Sequence, residues 1–197
     1  MEVILMRHGT TQGNLEGRFI GVTDVPLHPS GEELARRVGA GLPPVDHVYR
    51  SPLLRCRQTA DLLWPGTAQT ELPGLRETDF GPFEGKNHAE LKDDPLYQQW
   101  LASAPDFDVP AGERTEDCAD RAEAALEELV RDAARQGFTR VGVVSHGGTL
   151  MALLSRVGRP RRRFHDWMCP NCGGWRAEAE EHPLTLRVLG PVGGAEG

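Results

Sequence analysis

Arg7-His8-Gly9 and Ser145-His146-Gly147-Gly148 each follow an apolar run directly, so an imidazole and a glycine stand where a buried strand would end. A third run, 46–50, leads through Ser51-Pro52 into a helix whose first turn carries Arg55. Strands of a parallel sheet end on one edge, and open α/β sheets bind ligands beyond the carboxyl ends of their strands. Two histidines, two arginines and the N–H groups of the glycine turns would then converge on one pocket, an arrangement suited to a phosphoryl dianion. Arginine fits this task because its planar fork makes paired bonds to phosphate oxygens and never deprotonates. An imidazole among such cations stays neutral, since nearby positive charge disfavours its protonation, and a neutral imidazole is a competent nucleophile.

The elements that must hold these groups follow from the pattern. Val3, Ile4, Leu5 and Met6 read as a strand buried on both faces, as in the middle of a parallel sheet. Residues 15–29, with Gly17, Gly21, Pro26 and Pro29, read as an extended loop beside the site. Ser30 and Glu33 predict a capping box opening a helix with Leu34, Val38 and Leu42 on one stripe, ended by Pro43-Pro44. Ser51-Pro52 predicts the N-cap and first position of a helix over 52–64, and a weak strand is expected over 68–72. The proline-rich segment from about 77 to 112, with Pro82, Pro95, Pro105 and Pro110 and one helical patch near 88–102, predicts a loop and lid inserted between sheet elements. A long helix over 115–136 turns Cys118, Ala122, Ala125, Leu129 and Ala133 to the core and stops at Gly137. A second buried strand over 140–145, an apolar helix over 149–157, two modest strands near 174–179 and 184–189 and a frayed end from 190 complete the chain. No internal repeat is present. The pattern predicts a three-layer α/β/α domain with a mostly parallel central sheet and a small inserted cap, one domain over 1–197 with 78–112 as the insertion.

Composition bounds the function. The chain has 197 residues, enough for a sizeable core, and a net charge of −7, which argues against nucleic acid as a partner. No apolar run approaches the ~20 residues needed to cross a bilayer, so a cytoplasmic chain without a membrane partner is expected. Four cysteines are too few for a disulfide scaffold, and Cys56 and Cys118 predict reduced, buried thiols.

Four blocks carry a family resemblance. Arg7-His8-Gly9 with Asn14, Ser51-Pro52-Leu53-Leu54-Arg55-Cys56-Arg57-Gln58-Thr59-Ala60, Glu77-Thr78-Asp79-Phe80-Gly81-Pro82-Phe83-Glu84-Gly85, and Ser145-His146-Gly147-Gly148 resemble the histidine phosphatase, or phosphoglycerate-mutase-like, superfamily. The resemblance implies that His8 is the nucleophile that becomes phosphorylated and that Glu77 protonates the leaving alcohol and then activates water. It implies that Arg7, Asn14, Arg55, His146 and the N–H of Gly147 hold the phosphoryl oxygens, with no cofactor and no metal. Spacing alone does not choose Glu77 over Glu71 or Glu84. A general acid of this kind needs an enclosed, partly apolar setting, which Phe80 and Phe83 are expected to supply. The loop 17–27 and the short cap further resemble small bacterial phosphatases of the α-ribazole-5′-phosphate type, which implies that ester as a substrate. Phe19, Ile20, Gly21 and Phe80 are then expected to meet the part of the substrate beyond the phosphate.

Each residue also has a plainer reading. His146 alone would be a satisfied core histidine, Arg55 a helix-surface charge and Asn14 a turn residue; their joint company with His8 favours the site. His28 and His47 lack such company and are read as surface residues. Cys169-Pro170-Asn171-Cys172 imitates half of a zinc site that His165 and His182 could complete, yet the second half lacks ordinary spacing, and a small-residue turn is expected. Arg159, Arg161, Arg162 and Arg163 are expected on a solvated face. The expected activity is phosphomonoester hydrolysis, by a monomer or homodimer acting on a small molecule. The alternatives are a phosphoglycerate mutase and a non-catalytic module that binds a phospho-ligand. Related mutases follow the acid with an arginine and place paired arginines in the cap; here Thr78 follows Glu77 and no arginine lies between Glu77 and Glu113. Glu84, Glu90, Asp93, Asp94, Asp106, Asp108 and Glu113 face only Lys86 and Lys92 in that segment, so the lid is expected to repel a second anionic group.

Overall fold

The computed structural model describes residues 1–103, 108–181 and 183–194, with Glu181 by its backbone alone. Pro105, Asp106, His182 and the last three residues of the tail therefore lie outside the described residues. In chain order the elements are β1 Glu2–Arg7, α1 Gln12–Leu15, α2 Pro29–Gly39, β2 His47–Arg50, α3 Leu54–Leu63, β3 Gln69–Glu71, α4 His88–Leu91, α5 Pro95–Ala102, α6 Thr115–Gln136, β4 Arg140–Ser145, α7 Gly147–Val157, β5 Gly158–Arg159, β6 Gly173–Glu181 and β7 Leu184–Gly193. The seven strands form one sheet in the order β3-β2-β4-β1-β6-β7-β5. β1, β2, β3 and β4 run parallel to one another, while β6 is antiparallel to both β1 and β7.

Alternation along β1 divides the core into two layers. Val3 and Leu5 pack with Val141 and Val143 beneath α6 and α7, whereas Ile4 and Met6 pack with Ala35 of α2 and Cys56, Ala60 and Leu63 of α3. All four β1 side chains are fully buried, as the unbroken apolar run demands. The result is the expected three-layer α/β/α arrangement. A smaller cluster of Phe83, Leu91, Tyr97, Trp100 and Val109, with Phe19 and Phe80 against it, forms in the 78–112 segment.

Several boundaries differ from expectation, each for a local reason. α2 begins at Pro29, and His28 rather than Ser30 is the N-cap, its Nδ1 accepting from the Ser30 N–H at 3.2 Å. Proline has no N–H to lose at the first position, so the helix starts there. α3 begins two residues later than predicted, with Leu53 at its cap and the Leu54 N–H donated to Asp24 at 2.7 Å. The helical patch near 88–102 is two helices, because Asp94 caps a new start with Pro95 behind it. α7 starts at Gly147, two residues early, which makes His146 its N-cap. The tail does not fray from 190: residues 190–193 extend β7 and pair with the start of β6.

Candidate active site

β1 and β4 are neighbours in register, with Arg7 opposite Ser145, so their next residues, His8 and His146, emerge together. Their rings stand edge to face with centroids 5.1 Å apart. The His8 N–H donates to the Ser145 carbonyl at 3.0 Å, which fixes the backbone of the turn. Nδ1 of His8 lies 2.7 Å from the Gly9 carbonyl. A carbonyl only accepts, so Nδ1 carries the hydrogen and Nε2 keeps its lone pair. His8 is 4% exposed, and burial, followed by the charges of Arg55 and Arg7, holds its pKa well below the ordinary histidine value.

His146 is fully buried and is held neutral by the same causes, burial first and Arg55 next. Nε of Arg55 donates to its Nδ1 at 3.3 Å, so Nε2 carries the hydrogen, directed at Ser51 Oγ 2.7 Å away. Ser51 therefore serves the site rather than the helix cap predicted for it. Cys56 packs on the same ring, 3.4 Å from Nε2, and burial pushes its thiol up to about 12. Thr59, one turn beyond Arg55, accepts the Gly9 N–H at 2.9 Å and so ties α3 to the loop after His8.

Arg7 donates through one terminal nitrogen to the Cys169 carbonyl at 2.9 Å, while its buried Nε has no partner. A buried guanidinium N–H left over is a donor awaiting an anion. The 169–172 turn holds the β1 end from the other side: the Cys172 N–H reaches the carbonyls of Arg7 and His8, and Asn171 donates to the His8 carbonyl and to Asn14 Oδ1. Asn14 Oδ1 also accepts from the Thr11 N–H, and no described residue accepts from its amino group. Cys169 and Cys172 are free thiols in the core layers on opposite faces of the sheet, each raised by burial, so they compose no half-site.

Glu77 is 6% exposed and lies across the first turn of α7. Its carboxylate accepts from the N–H groups of Gly148 at 3.1 Å and Thr149 at 3.0 Å and from the Thr149 hydroxyl at 3.2 Å. These are N–H groups that a helix start leaves without intrahelical acceptors. Gly148 permits the approach, since a Cβ there would fall 2.7 Å from Glu77 Oε1. The setting is thus a polar cradle and not the phenyl enclosure expected: Phe83 is committed to the cap cluster, and only Phe80 reaches the cavity. Upstream, the chain is fixed by Arg121, which donates to the carbonyls of Gly74 and Arg76 and pairs with Glu113 at 2.7 Å.

These groups open into a cavity of about 530 Å³. Arg7, His8, Asn14, Glu77, Gly147 and Gly148 line one end; Phe19, Ile20, Phe80, Trp100, Met151 and Met168 are among the residues of the apolar wall. Arg55, His146 and Gly21 lie behind that wall rather than in it, Arg55 and His146 with no exposure at all. None of the described lid acids lines the cavity, which corrects the expected acidic screen. Five of the six are spent on a local partner: Glu84 on backbone N–H groups, Glu90 on Arg18, Asp94 on a helix cap, Asp108 on the Thr115 N–H and Glu113 on Arg121. His165 and Arg18 line the outer cavity, and Arg161, Arg162 and Arg163 are exposed as expected, with Arg162 stacked over Trp167 at 4.7 Å. Sequence reasoning missed Ser51, Thr59, Thr149 and Asn171 as members of the site. Ser51 and Thr59 stood inside a quoted motif block, but no signal set Thr149 or Asn171 apart.

Comparison with known proteins agrees with this geometry. The family model described as histidine phosphatase superfamily (branch 1) matches residues 3–190. A protein of Klebsiella pneumoniae (strain 342) named probable phosphoglycerate mutase GpmB is 32% identical over 190 residues, covering 93% of this chain and 87% of the relative. A broad-specificity phosphatase of Saccharomyces cerevisiae is 31% identical over 174 residues, covering 84% of this chain and 74% of the relative. The crystal structure of the alpha-ribazole phosphatase from Shigella flexneri superposes with a TM-score of 0.81 at 27% identity, covering 100% of both chains.

Proposed function

The chain belongs to the histidine phosphatase superfamily, and from that premise we propose that it hydrolyses small-molecule phosphomonoesters through a phosphohistidine on His8. The observation that carries this reading is the pairing, at one end of the cavity, of a neutral imidazole with a free Nε2 and a buried Arg7 N–H that has no partner. Nε2 attacks phosphorus as the bond to the alcohol oxygen breaks, and that oxygen takes the proton of Glu77. Water then attacks the phosphohistidine, gives its proton to Glu77 and returns His8 with its lone pair. Arg7, Asn14 and the Gly147 N–H hold the phosphoryl oxygens from the cavity wall. Arg55 acts from directly behind it and keeps the charge of the site positive, with the neutral His146 ring on its Nε. With two guanidinium groups in place, the reaction needs no metal ion.

The same reading takes the chain as one domain with 78–112 as its lid. The preferred remainder of the ester is neutral and partly apolar, because the outer wall is formed by Phe19, Ile20, Phe80 and Trp100. Burying a second charge against such a wall costs more than it returns. α-Ribazole 5′-phosphate fits this description. The mutase reading needs a second anion-holding group; Arg18, the cavity's other arginine, is already paired with Glu16 and Glu90. A panel of metabolite monophosphates, scored by phosphate release, tests the proposal. Neutral-remainder esters should exceed 2- and 3-phosphoglycerate by at least roughly tenfold in kcat/KM, the scale of one buried unpaired charge or hydrogen bond. Interconversion of the two phosphoglycerates faster than phosphate release would replace this reading with the mutase. No turnover of any ester, an aryl phosphate included, would leave a phospho-ligand binding module.

A further inference from the structure

Arg55 is buried and makes no ion pair among the described residues, and four of the five N–H groups of its guanidinium are already engaged. It donates to the carbonyls of Gly21 at 2.7 Å, Thr23 at 2.9 Å and Ile20 at 3.4 Å, besides His146. The other side of the same loop is gripped by Glu84. That carboxylate accepts from the N–H groups of Gly21 at 3.0 Å, Val22 at 3.1 Å and Phe80 at 3.1 Å and from the Thr23 hydroxyl at 2.7 Å. A cation and an anion are thus joined through the peptide groups between them, whose carbonyls point to one and whose N–H groups point to the other. Charge-assisted bonds of this kind are the stronger ones. Gly21 makes the close packing feasible: a Cβ there would lie 2.0 Å from the Thr78 carbonyl oxygen and 2.4 Å from Glu84 Oε1. The residues just before it, Phe19 and Ile20, are the cavity wall, and Phe19 is stitched to the lid by the Gly85 N–H at 2.8 Å.

Resting on the phosphatase reading, we propose that Glu84 is a positioning residue. By clamping residues 21–23 onto Arg55 it fixes the guanidinium directly behind the phosphate end of the cavity, beside His146, and it makes phosphate grip and apolar wall one mechanical unit. Glu84 touches neither substrate nor reacting atoms; it acts through Arg55. The alternative is that Glu84 only fastens the lid to the core.

A double-mutant cycle on the affinity for inorganic phosphate, measured by calorimetry on the full chain, separates the two. Glu84→Gln should weaken phosphate binding roughly tenfold in the wild-type background, the scale of one hydrogen bond to a charged group. In an Arg55→Lys background, which keeps a charge but has no fork, the same change should cost less than about twofold. Glu84→Asp, which keeps the carboxylate, should stay within about threefold of wild type. If Glu84→Gln does not fold, Thr23→Ala removes one donor to Glu84 while leaving the Thr23 carbonyl on Arg55, and a loss of several-fold is expected. Equal losses in both Arg55 backgrounds, or unchanged affinity in Glu84→Gln or Thr23→Ala, would overturn the clamp and leave the phosphatase reading standing. A wild-type protein that binds no phosphate would overturn that reading, and the clamp with it.

Discussion

A histidine buried in its neutral form ties stability to pH. His8 and His146 stay unprotonated in the fold, whereas in the unfolded chain each takes a proton below about 6.5. Below that pH the unfolded state binds more protons, so the stability these sites contribute is present above it and is lost as the pH falls. Each site adds a slope of at most about 1.4 kcal/mol per pH unit. Carboxylates whose pKa the fold lowers, such as Glu2 and Asp46, act only at more acidic pH, near 4 and below. Denaturant unfolding between about pH 6.5 and 5 should therefore show a shallower loss of stability in His8→Ala than in wild type. Equal slopes would mean that His8 is protonated in the folded protein. An exposed strand-end imidazole would have been dispensable to the fold, but His8 is buried, so the same variant should lose roughly 1–3 kcal/mol at neutral pH. Acid-labile, base-stable phosphate trapped on wild type should be absent from it, and unchanged activity would refute a phosphohistidine mechanism.

In the proposed mechanism the first turn of α7 is the element that positions the proton donor. It receives Glu77 on the N–H groups of Gly148 and Thr149, and its cap residue is His146. Glu77→Gln should slow alkyl phosphates by ~10²–10⁴-fold, the range of general acid help, and affect nitrophenyl phosphate far less because nitrophenolate leaves unaided. Gly148→Ala should show the same selectivity in weaker form, since the added Cβ would displace the carboxylate that lies 2.7 Å from it. Alanine suits a helix, so this loss should come without a fall in Tm. Equal losses for both substrate kinds in Glu77→Gln would assign the proton to another group.

Across the whole molecule, the site is assembled at the edge where the parallel strands end, and the cap covers it with hydrocarbon. No helix among the described residues is long and apolar enough to cross a membrane, and among them no cluster of three or more His, Cys, Asp or Glu side chains could hold a metal ion. In the proposed reaction, positive charge at the phosphoryl end comes from Arg7 and, behind the wall, Arg55, and Coulombic stabilisation from fixed guanidinium groups requires no reorganisation. Chelator added to the purified protein should leave turnover unchanged. A rate that vanishes with chelator and returns with Mg²⁺ or Zn²⁺ would show that the arginines do not suffice.

The sequence by itself determined the layers and the residue types that gather at the edge. The unbroken apolar run of β1, the amphipathic stripe of α6 and the glycine turns after two apolar runs are local patterns, and a local pattern is legible without knowing what packs on it. His8, Arg7, Asn14, Glu77 and Gly147 accordingly line one cavity, as the motif blocks imply. What only the tertiary structure decided were partnerships between residues far apart in the chain: Ser51 with His146, Asn171 with His8, Thr149 with Glu77, and Arg55 with the loop that Glu84 holds. It also withdrew the described lid acids from the cavity. A side chain's charge is written in the sequence, but whether that charge faces a ligand or is satisfied by a neighbouring N–H depends on how the backbone folds around it, and the energy of an unsatisfied buried group makes the fold choose the latter wherever it can.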